Sequence, residues 1–169
     1  MVSTQGLGRL MQHNGSLPDA NILYYKLIVK IQKAFTLEHP SVDLAWGLQE
    51  EAFRKHFKDV SLTQITAGHL KTRCVLFGGL EADVHFHFNP RQNGRFSQVE
   101  LYRSPQHHRQ KAFDDWQTRL IRLFGQGTEQ RSQLPMHTAY KWVIDSVSVI
   151  HEWYYHCGEH ERILVATKR

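Results

Sequence analysis

Apolar residues in this chain recur in two rhythms, and the change from one to the other marks the elements. After Gly47, Leu48, Ala52, Phe53 and Phe57 recur at helical spacing among Glu50, Glu51, Arg54 and Lys55. A helix is therefore predicted over 48–57, with Glu51 and Lys55 forming an i,i+4 pair on its wet side. The rhythm then switches to two. Ala82, Val84, Phe86 and Phe88 alternate with Asp83, His85 and His87 after the Gly78-Gly79 turn, which predicts a hairpin of strands 71–77 and 82–88. Asn89 to Gly94 reads as a turn, and 95–103 returns as a third strand with Val99 and Leu101 on one face and Glu100 and Tyr102 on the other.

The same order repeats. Phe113, Trp116, Leu120, Leu123 and Phe124 fall at helical spacing before Gly125, and strands follow at 139–143, 147–155 and 160–167. Gln126 to Pro135 reads as a polar loop between them. Residues 1–18, rich in Gly, Ser, Gln and Asn, are expected to form an N-terminal arm, and 19–169 a single domain. Within that domain Asp19 caps an extra helix running to about Phe35, and His39-Pro40 ends that region. Val42, Leu44 and Trp46 suggest a short strand. The fold class expected is α+β: an antiparallel sheet from two helix-plus-three-strand units, with helices packed on one face and the other left polar and aromatic.

Composition narrows the setting more than the chemistry. At 169 residues with 41% hydrophobic and 22% charged content, the chain can bury a core without staples. No run approaches the roughly 18 apolar residues of a membrane span, and the N-terminus does not resemble a signal peptide. A cytoplasmic protein is expected, with Cys74 and Cys157 free. The net charge of +5, with twelve histidines beside it, permits an anionic partner without requiring one.

Three chemistries are weighed against ordinary surface roles. His85 and His87 project to one side of a strand, and His151, His156, Cys157 and His160 lie near the last hairpin; imidazole and thiolate are zinc ligands. The spacing matches no metal motif, so exposed strand histidines without a ligand are the favoured reading and no cofactor is expected. Acid–base pairs of Asp83, Glu100, Glu152 or Glu161 with histidine are the raw material of catalysis. No nucleophile elbow or phosphate-cradling loop accompanies them, and Glu152 with Arg162 reads better as a cross-strand pair. Arg103, Arg119, Arg122 and their neighbours form a loosely basic stretch diluted by acids, so nucleic acid is not the expected partner. What remains is a protein-binding surface, for which Tyr102, Trp142, Trp153, Tyr154 and Tyr155 offer the large amphipathic side chains typical of interface anchors.

Trp46-Gly47, His56-Phe57, Phe77-Gly78-Gly79-Leu80, Val84 to Pro90, Val99 to Tyr102, Tyr140-Lys141-Trp142 and the ending from His151 to Val165 resemble small cytoplasmic bacterial immunity proteins, which neutralise secreted or contact-delivered toxins. The tandem helix-plus-meander order is also similar to that of beta-lactamase inhibitor proteins. The resemblance, over about residues 42–167, implies a non-enzymatic inhibitor that covers a cognate toxin. A basic chain fits a toxin other than a highly basic nuclease. The partner-binding residues expected are His85, His87, Glu100 and Tyr102 on the polar sheet face, with Trp153, Tyr154, Glu161 and Arg162 at the last hairpin. The alternatives are a metal-dependent hydrolase built on the histidines and a nucleic-acid-binding protein.

Overall fold

The computed structural model describes residues 29–103, 109–131, 137–155 and 157–167. The expected arm over 1–18 lies outside them. Helix α1 is described over residues 29–33 and stops earlier than its apolar stripe suggested. Ala34–Leu37 is instead strand β1, paired antiparallel with β2 (Val42–Ala45). Tertiary pairing overrides helical preference here: Phe35 is fully buried opposite Leu44, and the segment is tied to the main sheet by backbone bonds of Glu38 and His39 to Val75.

The predicted helix after Gly47 is α2 (Glu50–Arg54), extended by a 3-10 turn at Lys55–Phe57. Lys55 and Glu51 pair at 3.1 Å as the spacing required. Four strands follow, β3 (Thr63–Thr66), β4 (His69–Leu76), β5 (Leu80–Asn89) and β6 (Arg95–Tyr102). Then come α3 (Arg109–Phe124) and β7 (Thr128–Gln130), β8 (His137–Ile144), β9 (Val147–Tyr155) and β10 (Glu159–Thr167). The expectation of two three-strand units is corrected. The sheet is one antiparallel surface of eight strands in the order β3-β4-β5-β6-β10-β9-β8-β7. β10 returns to the middle and pairs with β6, setting Ile163 against Leu101 and Val165 against Val99. The two strands missed, β3 and β7, form the sheet's edges; they are short and exposed throughout, and mostly polar, as edges that avoid further pairing tend to be.

Side-chain alternation divides the sheet into two faces. Leu70, Val84, Phe86, Val99, Leu101, Val147, Val149, Ile163 and Val165 are all fully shielded on one of them, and they join Phe53 and Phe57 of the α2 region and Trp116, Leu120 and Phe124 of α3 in one core. Phe53 sits at its centre on the β3–β6 side, its ring within 4.9–5.2 Å of those of Phe57, Phe86, Phe88 and Phe96. A bulge between His87 and Phe88 resets the register against β6, keeping Phe88 and Phe96 inward. The β4–β5 turn needs glycine: Gly78 and Gly79 both take positive φ, and their N–H groups donate to the Glu38 carboxylate at 2.6 and 2.9 Å. Among the described residues no element packs on the opposite face, and no helix is long and apolar enough to cross a membrane.

Candidate functional site

The open face carries a continuous polar belt across six strands. Its rows follow from the register: His69, His87 and Gln98 in one; Lys71, His85, Glu100, Leu164 and Ile150 in the next; then Arg73, Asp83, Tyr102, Arg162 and Glu152. Arg162 is the keystone. Its Nη1 donates to Glu100 Oε1 at 3.1 Å, and its Nε donates to Glu152 Oε1, so one guanidinium bridges β6 and β9 from β10. Tyr102 Oη donates to Glu100 Oε2 at 2.7 Å, and Gln98 Nε2 to Glu100 Oε1 at 3.2 Å. On the far side Glu152 Oε2 meets His137 Nε2 at 3.3 Å, and the Arg162 guanidinium lies 5.7 Å from the ring centre of Tyr154. Tyr154 in turn stacks on His160 at 5.3 Å.

Three imidazoles crowd the other end of the belt. His69 Nε2 and His85 Nδ1 are 2.9 Å apart, and the rings of His69 and His87 stack at 4.3 Å. The close N···N contact requires one ring to donate an N–H and the other to be neutral and accept. Burial lowers the pKa of both His69 and His85; His87 adds to this for His69, and His69 and Lys71 add to it for His85. Glu100 is held down to about 2. The largest influence is His87, whose Nε2 stands 3.4 Å from Oε2; burial opposes it, and the Tyr102 hydroxyl and Arg162 reinforce it. That distance is at the outer limit of a hydrogen bond, and His87 Nε2 has no well-formed partner. The phenol of Tyr102 is pushed up to about 12 by burial and by its bond to Glu100. Burial works against the Arg162 charge, yet Glu152, Tyr102 and Glu100 together outweigh it and raise the pKa further.

His85, His87, Glu100 and Tyr102, expected on the polar sheet face, share the open face with Tyr154 and Arg162 of the last hairpin, whereas Trp153 and Glu161 of that hairpin lie on the other face. Consecutive strand residues point to opposite faces, so Trp153 and its cross-strand partner Glu161 fall on the helix side with buried His151. There His151, with no exposed surface, contacts Gln117 Oε1 through Nδ1 at 2.7 Å and Glu161 Oε1 through Nε2 at 3.0 Å. Arg103 Nε lies 3.3 Å from Glu161 Oε2, and its guanidinium sits 4.6 Å from the ring centre of Trp116. Burial lowers the His151 pKa despite the adjacent carboxylate. A neutral ring can donate to only one of these two oxygens, to Glu161 from Nε2–H or to Gln117 Oε1 from Nδ1–H.

The belt also contains His69 and His137, which sequence reasoning missed. The expected strands began at Lys71 and Ala139, two residues late in each case, so both histidines fell in presumed loops. The alternation, continued backward by one pair, would have found them. The proposed joining of the terminal histidines to His85 and His87 fails, because His151 is on the opposite face and His160 lies beyond Arg162 beside Tyr154. His156 lies outside the described residues. Among those described, no three His, Cys, Asp or Glu side chains are posed around a common metal position.

No protein-family model matches the chain. No curated protein matches it in sequence. Among solved structures it is similar to a DUF4309 family protein, YjgB, from Bacillus subtilis subsp. subtilis str. 168, at 8% identity and a TM-score of 0.48, over 88% of this chain and 97% of that one. A likeness of that size carries no argument about function, and the geometry of the belt must carry it instead.

Proposed function

We propose that this chain is a non-enzymatic protein-binding module whose partner docks on the open sheet face, and that it serves in the cytoplasm as an immunity protein against a cognate toxin. The observation that carries the reading is the Glu100–Arg162–Glu152 bridge with Tyr102 and Tyr154 beside it. Strand backbones and mutual ion pairs hold these large side chains in place, so docking loses little side-chain freedom. Aromatic and arginine anchors are the residue types that dominate protein interfaces. Leu164 and Ile150 lie half-buried in the adjoining row and add apolar contact area.

The reading is tested by placing this chain and each neighbouring reading frame of its native locus under separate promoters. One neighbour is expected to halt growth alone and to be neutralised by the wild-type chain, with protection lost on Arg162→Gln or Tyr154→Ala. Absence of any toxic neighbour, or equal protection by folded variants, overturns it. A second reading, metal-dependent chemistry, starts from the crowding of His69, His85 and His87 beside Glu100, although no three of these side chains are posed around a common metal position. Elemental analysis of the purified chain separates the two. Stoichiometric zinc, lost on His85→Ala with His87→Ala, supports the second.

A further inference from the structure

At the β4 end of the polar belt, a cleft of about 690 Å³ opens between the β4–β5 turn and α3. Four arginines line it, Arg73, Arg103, Arg119 and Arg122, against two carboxylates, Glu81 and Asp115. The helix supplies its share by spacing: Asp115, Arg119 and Arg122 stand at i, i+4 and i+7, on one face of α3. Glu81 is already engaged by Arg73 at 3.1 Å. That leaves Asp115 as the lining carboxylate beside Arg119 and Arg122, while Arg103 is paired from behind by Glu161.

Arg103 is unusual for a cleft wall, being 15% exposed. Glu161 lies behind its Nε, and the face of Trp116 supports its guanidinium. Burial and the nearby charge of Arg119 both disfavour its protonated form, while Glu161 and Asp115 favour it. Two guanidiniums close enough to repel each other, one of them buried and braced, form an arrangement that a bound anion relieves. The cleft's volume falls within the usual range for small-ligand sites of roughly 300–1,000 Å³.

We propose that this cleft binds a multiply charged phosphate-type oxyanion, free or carried on a larger small molecule, through Arg103, Arg119 and Arg122. The site meets the belt at Arg73 but does not depend on the immunity reading. Guanidinium forks match phosphate oxygens in pairs, which a lysine cannot reproduce. Arg119 also donates to the Gly78 carbonyl, so it ties the cleft to the turn.

The test is calorimetric titration of the full chain with pyrophosphate and with adenosine diphosphate at fixed low salt. Saturable one-to-one binding is expected. Arg122→Glu should weaken it by at least about tenfold, and Arg119→Lys by a smaller factor, with melting temperature recorded to show that each variant is folded. Lys58→Glu makes the same charge change at an exposed position by α2 and should alter binding by less than about twofold. Binding of pyrophosphate marks a free anion as sufficient. Binding of the diphosphate alone marks a carried phosphate. No saturation with either, or equal weakening by Lys58→Glu and Arg122→Glu, overturns the proposal, the latter because attraction by net charge explains it.

Discussion

Residues 151 and 152, and their neighbours 161 and 162 across the β9–β10 hairpin, build two charge networks back to back. Glu152 and Arg162 face outward, where Arg162 joins Glu100 and water reaches the group. His151 and Glu161, one residue earlier in each strand, face inward with Arg103 and Gln117 beneath α3. Both networks contain a glutamate, an arginine and a histidine. The glutamates are shielded alike, Glu161 at 11% against 12% for Glu100 and 13% for Glu152. What separates the sets is that His151 has no exposed surface and Arg103 is about half as exposed as Arg162, so a partner lost inside is replaced by solvent less readily. Similar chemistry one residue apart therefore suits recognition on one face and structural integrity on the other.

The largest expected effect breaks the inward set. Glu161→Ala leaves Arg103 and His151 facing each other without the carboxylate between them, and should lower stability by about 3–5 kcal/mol in urea unfolding at pH 7. An unchanged midpoint would mean that the networks do not differ as argued. Acid titration sharpens the contrast next. The Glu100 pKa is depressed from 4.5 to about 2, so its stabilisation is present above about pH 4.5 and is lost as pH falls toward 2, a contribution of about 2–3 kcal/mol. His69, His85 and His151 are also depressed from 6.5. Their stabilisation is complete above that value and declines as pH falls below it. Urea midpoints measured from pH 8 to pH 2.5 should show both windows, and Glu100→Gln should flatten the lower one.

Removing the outward keystone should cost less. Arg162→Gln is expected to destabilise by about 1–2 kcal/mol, since Tyr102 and Gln98 still serve Glu100 and His137 still faces Glu152. A loss matching that of Glu161→Ala would erase the distinction between the faces. The fully solvated pair sets the baseline: Glu51→Ala, which removes the Lys55 partner on α2, should change stability by less than about 0.5 kcal/mol by thermal melting.

The strands of the hydrophobic face were readable because burial imposes a strict period of two. Ala82, Val84, Phe86 and Phe88 announce β5, and the Glu152–Arg162 pair follows once the last hairpin is placed. β3 and β7 were not readable. Thr63–Thr66 and Thr128–Gln130 bury nothing and are strands only because β4 and β8 offer them backbone hydrogen bonds. The same reason hid β1, whose residues continue a helical pattern until pairing with β2 claims them. Trp153 and Glu161 were grouped with Tyr154 and Arg162 because they are adjacent in the chain, although the pleat separates neighbours onto opposite faces.

The sequence by itself determined which residues are inside: local alternation and helical spacing depend on each segment meeting a core, whichever segments supply it. Only the tertiary structure decided that β10 lies between β6 and β9, and with it that Arg162 stands between Glu100 and Glu152 while Arg103 meets Glu161. Strand order is a long-range choice made by packing and backbone pairing between segments more than sixty residues apart, and no local pattern encodes it.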